Sequence, residues 1–292
     1  MDRFEGKIIH ALSGFYYVEA ADTVYECKAK GVFRNQNITP LVGDTVEIEV
    51  DGEKGVVAAV RERRNSLRRP PVANIDRLLI VSSVARPRPN LFVLDKLTAF
   101  AVWHHIEPVI VFSKSDLADP SEYLRIYEKT PFPVFAVSTV TGEGKDRVAA
   151  LIEGCTCALA GNSGVGKSSL INALLPELAL ATNDISDKLG RGKHTTRSVR
   201  LYRYGGGFLM DTPGFSSFEL LADDEKIRKE DLPDCFPEFA PFIGDCRFSV
   251  SCAHMNDRGC AVTAAVERGE IAAERYDSYR QMYEEVKNLK SY

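Results

Sequence analysis

Long apolar runs are missing from this sequence. Nowhere in its 292 residues is there a stretch approaching the roughly 20 apolar positions that cross a bilayer. The opening MDRFEGKIIH has no apolar segment of the kind a secretion signal carries. Neither a membrane-spanning nor a secreted protein is expected, and the chain is placed in the cytoplasm with no membrane partner. A strong charge imbalance is missing too: the net charge is -4, which argues against a uniformly basic nucleic-acid binder. There is no internal repeat, which sets aside solenoid architectures, and no low-complexity tract. Cysteine is sparse, seven in all, and a cytoplasmic chain does not use it for disulfides. Cys27, Cys155 and Cys157 sit in apolar, strand-like runs and are expected in the core. The other four cysteines fall between 235 and 260.

What is present is an ordinary soluble composition, 45% hydrophobic and 27% charged, long enough for two or three domains. Two local basic patches stand out against the mean. RERRNSLRRPP (61–71) holds Arg61, Arg63, Arg64, Arg68 and Arg69, and 188–203 adds Lys188, Arg191, Lys193, Arg197, Arg200 and Arg203. Both are read as loop or linker charges or as phosphate contacts.

Three regions follow from pattern. Residues 1–65 carry five short extended runs, EGKIIH, FYYVEA, TVYECKA, DTVEIEV and EKGVVAAV, separated by turn residues. Five strands in this length suit an OB-type β-barrel with an RNA-binding role. Phe15, Tyr16, Tyr17 and Phe33 are candidates for base stacking, although filling so small a barrel is the expected job of most of them. From 72 to 216 strands alternate with helices, as in a mostly parallel sheet covered on both faces, whose ligands sit at the carboxyl ends of the strands. His104 and His105 are expected at a helix end. From 217 to 292 the chain is acidic, poor in strand signals, and ends in what is read as one long helix from Ala261.

The chemistry lies in short segments. Gly161, Asn162, Ser163, Gly164, Val165, Gly166, Lys167 and Ser168 match GxxxxGK[ST], between the apolar TCALA and the helical SSLINALL that begins with Ser168 and Ser169. Glycines there let backbone N–H groups turn toward phosphates, Lys167 reaches the β- and γ-phosphates, and the Ser168 hydroxyl ligates Mg²⁺. FLMDTPGF delivers Asp211 toward the metal and the Gly214 N–H toward the γ-phosphate. Between them GRGKHTTRSV reads as a switch, with Thr195 or Thr196 completing the Mg²⁺ shell. Upstream, VIVFSKSD places Ser113, Lys114, Ser115 and Asp116 after a strand; Asp116 can accept from guanine N1 and its exocyclic amine while the Lys114 stem covers the base. VSTVTGEG supplies Ser138 and Thr139 as the backing loop. The base-reading half precedes the phosphate half, so the expected fold is an α/β, circularly permuted P-loop G domain.

A fourth cluster, C-x5-C-x-H-x5-C, gives Cys246, Cys252, His254 and Cys260. Three thiolates and an imidazole suit one closed, structural Zn²⁺ per chain, standing in for a core this lobe is expected to lack. Cys235 is the only substitute ligand considered.

In this order, SKSD, STVTGEG, GNSGVGKSS, GRGKHTTR and DTPGF, preceded by a barrel and followed by the Cys/His cluster, the chain resembles the ribosome small-subunit-dependent GTPases, the RsgA family. The resemblance covers nearly the whole chain. It implies a late assembly factor of the small (30S) ribosomal subunit that binds rRNA and hydrolyses GTP to GDP when that particle stimulates it. Phe215 stands where Ras-type enzymes carry a glutamine and cannot orient water; His194 is the candidate that takes this part, with Lys167 as the other catalytic group. Two departures are noted: Ser113 stands where many G domains have asparagine, which weakens the side-chain tie to base and phosphate loop, and the first two cysteines are one residue further apart than the family pattern. The rival expectations are a P-loop ATPase or kinase, against which Asp116 speaks, and a zinc-containing RNA-binding protein with a regulatory nucleotide site that does not turn over. Nothing in the sequence calls for an obligate dimer, so a monomer is expected.

Overall fold

The structure, a computed structural model, describes residues 2–31, 33, 38–52, 54–178, 199–211, 227–248, 251–255 and 257–287. Its strands are β1 (Asp2–Leu12), β2 (Phe15–Ala20), β3 (Thr23–Ala29), β4 (Thr45–Asp51), β5 (Lys54–Val60), β6 (Ser66–Leu67), β7 (Val72–Ala73), β8 (Arg77–Ser83), β9 (Glu107–Ser113), β10 (Val134–Val137), β11 (Thr156–Ala160), β12 (Arg200–Tyr204) and β13 (Gly207–Asp211). The helices are α1 (Leu91–Trp103), α2 (Ser121–Tyr127), α3 (Lys145–Ile152), α4 (Lys167–Leu174), α5 (Ala240–Ile243), α6 (Ala261–Glu267) and α7 (Ala273–Lys287). None among the described residues is long and apolar enough to cross a membrane. The chain divides into two compact units, one of residues 1–77, 149–159 and 184–215, the other of 78–148, 160–183 and 216–292.

In the first unit, β1 to β5 close on themselves. β1 pairs antiparallel with β2 and β4, β2 with β3, β3 runs parallel to β5, and β5 returns to β4. Alternation explains the closure: Val46, Ile48 and Val50 of β4 are buried while Glu47 and Glu49 between them are not. With Ile8, Val18, Cys27 and Val57 they fill the barrel. Phe33 is buried as well, while Phe15, Tyr16 and Tyr17 are partly buried, Tyr17 stacking on the His10 ring at 5.5 Å. The Arg-rich stretch is more ordered than a linker, because carboxylates hold it. Arg61 pairs with Glu5 and Glu47 at 2.8 and 2.7 Å, Arg63 takes both oxygens of the fully buried Asp44 at 2.7 and 2.8 Å, and Arg64 pairs with Asp76. The stretch itself contains β6, which pairs antiparallel with β7 just after it in a small hairpin. The same unit holds a further ladder: β13 runs parallel to β11 and antiparallel to β12, and β12 pairs with β1 at His10↔Arg200. Neither β12 nor its tight Gly-rich turn into β13 is anticipated by the sequence reading above.

In the second unit the strand order is β10-β9-β8, with β9 and β10 parallel. Six of the seven residues of β9 are buried, as befits a strand covered on both faces. Helix α1 starts at Asn90, whose side chain accepts from the Val93 N–H at 3.1 Å, an ordinary N-cap. It ends at His104, buried against the Phe100 ring at 4.4 Å, with His105 exposed in the left-handed region. The single C-terminal helix expected from Ala261 is two helices: α6 stops at Glu267 and α7 starts at Ala273, separated by Gly269 at φ +74°.

The C-terminal segment also has the core it was expected to lack. Phe236, Phe239, Tyr276, Tyr279 and Met282 are buried together with Leu232, Val262, Ala265, Ile271 and Ala99 of α1. Beside this cluster the Arg275 guanidinium, fully buried, donates to Asp95 of α1 and to Glu238, each at 2.7 Å, and to the Thr98 hydroxyl at 2.9 Å. Tyr127 adds its hydroxyl to the same Asp95 oxygen at 2.7 Å. The two carboxylates push the Arg275 pKa further above its already high value despite burial. Arg275→Met strands two buried carboxylates, so a loss of about 3–5 kcal/mol is expected, read as a lower urea midpoint. Adding Asp95→Asn and Glu238→Gln to that variant recovers part of the loss.

Candidate functional site

The phosphate-loop segment grows out of β11, whose five residues are all buried. At its exit the chain must pass very close to β8: a Cβ on Gly161, at φ +144°, would lie 2.2 Å from the Val81 carbonyl oxygen. Only glycine allows that approach. Gly166, at φ +99°, then forms the N-cap of α4, directing that helix's N-terminus and Lys167 into the loop. The Lys167 ammonium donates to the carbonyls of Gly161 and Asn162 at 2.6 and 2.8 Å. Asn162, Ser163 and Gly164 are exposed, Val165 is buried beneath them, and Ser168 and Ser169 are half-buried in the first turn of α4.

The base-reading segment lies at the carboxyl ends of β9 and β10, where Ser113 and Val137 are register partners. It is tied to the phosphate loop from two sides. The Ser113 hydroxyl, 6% exposed, donates to the Val165 carbonyl, with the Ser82 carbonyl at 3.3 Å. The Lys114 ammonium donates to the carbonyls of Gly164 at 2.8 Å and Arg86 at 2.5 Å. The tie to the loop expected to weaken with serine at 113 is therefore retained, by hydroxyl in place of amide. Asp116 is exposed, and one of its oxygens accepts from the Ser138 hydroxyl at 2.7 Å. That hydroxyl in turn accepts from the N–H groups of Val140 and Thr141 at 3.2 and 3.1 Å, so its proton points at the carboxylate. Ser115 donates to Glu143 at 3.1 Å, and the Ser138 N–H donates to the Glu143 carbonyl at 3.0 Å. Ser138 is buried and Thr139 exposed. An exposed, oriented carboxylate beside a lysine and a glycine-rich turn can accept two hydrogen bonds from a ring N–H and an exocyclic amine while an extended anion lies along the loop.

Two participants were missed in the sequence. The Ala85–Asn90 turn, running from β8 into α1, supplies the Arg86 carbonyl to Lys114; its position after a strand of the same sheet was the available signal. Glu143 joins the two base-side loops and lies within the GEG run already quoted. Asp211 ends β13, opposite Arg200. His194, Thr195, Thr196, Gly214 and Phe215 lie outside the described residues.

Cys246, Cys252, His254 and Cys260 converge, their ligand atoms all within 4.8 Å of one another. The Cys246 and Cys260 sulfurs are 3.9 Å apart, and each lies 3.6 Å from His254 Nδ1. A tetrahedron with metal–sulfur bonds of about 2.3 Å has edges of about 3.8 Å, so the donor set fits a tetrahedral ion. The Ala261 N–H donates to the Cys246 sulfur at 3.3 Å, and α7 clamps the loop through Tyr276 to the His254 carbonyl at 2.9 Å and Tyr279 to the Ala253 carbonyl at 2.7 Å. Burial pushes the Cys252 thiol up to about 12 and lowers the His254 pKa. The lowering favours the neutral, ligating form of the imidazole, and a cation would favour the ionised thiol. Cys235 stands apart in the aromatic core, its thiol turned to the Asp231 carbonyl and its pKa pushed up to about 12 by burial.

Comparison with known proteins agrees with this geometry. Residues 60–221 match the RsgA GTPase family model and residues 5–57 the RsgA N-terminal domain model. The Small ribosomal subunit biogenesis GTPase RsgA of Geobacillus sp. (strain WCH70) is 47% identical over 293 residues, covering 98% of each chain. The protein of the same name from Alkaliphilus metalliredigens (strain QYMF) is 42% identical over 295 residues, covering 99% of each. Among solved structures, YjeQ from Thermotoga maritima superposes with a TM-score of 0.84 at 34% identity, over 99% of this chain and 100% of that one. YloQ, described as a circularly permuted GTPase, gives 0.82 at 33% identity, over 100% and 97%. A barrel ahead of a permuted nucleotide fold, both matched by dedicated family models and by full-length relatives, has one reading: the chain belongs to the RsgA GTPase family.

Proposed function

We propose that this GTPase acts late in assembly of the small (30S) ribosomal subunit, binding its rRNA as a cytoplasmic monomer and hydrolysing GTP when that particle stimulates it. The observation that carries the nucleotide part is the double lacing of the base-side segment to the phosphate loop by Ser113 and Lys114, which makes two motifs, permuted in sequence, into one continuous ligand cradle. The partner follows from the relatives, which are named for small-subunit biogenesis. Asp116 reads the guanine donors, the backbone of 161–166 and Lys167 hold the phosphates, and Ser168 is placed for Mg²⁺. Zn²⁺ is the ion suited to the Cys₃His set, as a structural ion. The alternative of a nucleotide site that never turns over is not favoured, because the relatives are named GTPases.

His194 is proposed to orient the attacking water. GTP turnover measured with and without purified small subunits is expected to rise on the order of 100-fold, short of the ~10³–10⁵ that an inserted arginine provides. His194→Ala is expected to lose on the order of 100-fold of the stimulated rate while GTP affinity stays within about twofold. An unchanged wild-type rate on adding subunits, with large subunits as the control, sinks the subunit-activated reading.

A further inference from the structure

We propose that the 113–116 loop recognises guanine without a side-chain donor to N7, and that Ser113 is the specificity-determining position responsible. The proposal rests on the GTP-binding reading above. Guanine offers two kinds of edge: N1 and the exocyclic amine donate, whereas N7 and O6 accept and need a donor from the protein. Asp116 serves the first edge. For the second, the described hydroxyls and carboxylates of the 113–116 loop have no proton left to give toward N7, and only the Lys114 ammonium, with three N–H groups and two carbonyl partners, keeps one.

Ser113 is the residue whose place in the loop would bring a side chain to that edge. Its hydroxyl carries one proton and sits between two carbonyls, Val165 and Ser82, both acceptors. Whichever carbonyl takes the proton, none is left to point outward, and at 6% exposure the oxygen is sealed beneath the loop. The Ser115 hydroxyl is given to Glu143 at 3.1 Å. The Lys114 ammonium is drawn to the phosphate-loop side by Gly164 and Arg86. Asp116 and Glu143, as carboxylates, only accept. An asparagine at 113 would be different in kind, since its amide carries two donors and a carbonyl and extends further from the backbone. Serine keeps the tie to the phosphate loop and gives up the reach to the base.

The test uses 7-deaza-GTP, in which a C–H replaces N7 and everything else is kept. Competition for a fluorescent GDP analogue is measured on the full-length protein with GTP, 7-deaza-GTP and ATP. The two guanine nucleotides are expected to bind wild type within about twofold of each other, and Ser113→Asn is expected to raise the preference for GTP to about fivefold or more, the worth of one neutral hydrogen bond. Wild-type binding of 7-deaza-GTP fivefold weaker than GTP would overturn the proposal by revealing a donor at N7. A ratio still near one in Ser113→Asn would overturn the assignment to that position, and the wild-type ratio decides the first point even if the variant does not fold. ATP competing as well as GTP is a separate failure, of the guanine reading itself, and removes both.

Discussion

Asp116→Asn is expected to convert this protein from a guanine to a xanthine nucleotide binder. On the proposed reading the carboxylate would accept two hydrogen bonds from guanine, each worth about 1.5–3 kcal/mol because the acceptor is charged, so GTP affinity should fall by at least about 100-fold. The gain for XTP follows from Ser138. Its oxygen already accepts from the Val140 and Thr141 N–H groups, so its proton is aimed at residue 116. An asparagine there must turn its carbonyl to that proton, which leaves its NH₂ facing the base. Xanthine presents a carbonyl where guanine has an amine, and the amide donor matches it. Fluorescent-nucleotide competition with GTP and XTP checks this. Asp116→Ala is the control and should lose GTP without gaining XTP. If Asp116→Asn keeps full GTP affinity, Asp116 does not read the base.

Removal of the metal should have the second large effect, confined to one part of the molecule. Mercurial titration is expected to release one zinc per chain. Release leaves three thiols and an imidazole crowded within 4.8 Å. Loss of a structural metal belongs to the changes that cost more than about 4 kcal/mol, corresponding to a Tm lowered by roughly 10 °C for a chain of this size. Because Phe236, Phe239, Tyr276 and Tyr279 also bury one another with Leu232, Val262, Ile271 and Met282, the lobe has apolar contacts beyond the ligand cysteines and should not unfold as a zinc finger does. Hydrogen exchange should show protection lost in 251–260 and kept in 232–239, with GTP affinity within about twofold of the loaded protein. Cys260→Ser should reproduce the pattern. Equal loss of protection in both segments would mean that the metal holds the entire lobe.

How far the sequence revealed this structure depends on whether the cause was local. The barrel strands were legible because alternation such as Val46, Ile48, Val50 against Glu47, Glu49 is written in consecutive residues. The glycine-rich loop at 161–168 and the Cys₃His cluster were legible for the same reason, each set lying within one short segment. The aromatic core of the C-terminal lobe was not, since Phe236 and Tyr279 are far apart in the chain and their rings meet, at 5.3 Å, only once α7 has packed onto that segment. Nor was the Arg275 cluster, whose partners Asp95 and Glu238 lie 180 and 37 residues away. The split between α6 and α7 had a signal, Gly269, overridden by the strong helical composition on both sides. The carboxylates that pair with Arg61, Arg63 and Arg64, namely Glu5, Glu47, Asp44 and Asp76, come from other parts of the chain, so a charge count along the sequence overstated the free basic patch.

The ladder from β11 through β13 and β12 to β1 has a mechanical meaning. The strand that ends at Asp211 is bonded along its length to β12, and β12 to the barrel, so no slack segment lies between them. The join to the barrel is the single register His10↔Arg200, whereas β12 and β13 are paired along their whole length. A displacement of β1 near His10 would therefore reach the end of β13 through paired strands and not through a loop.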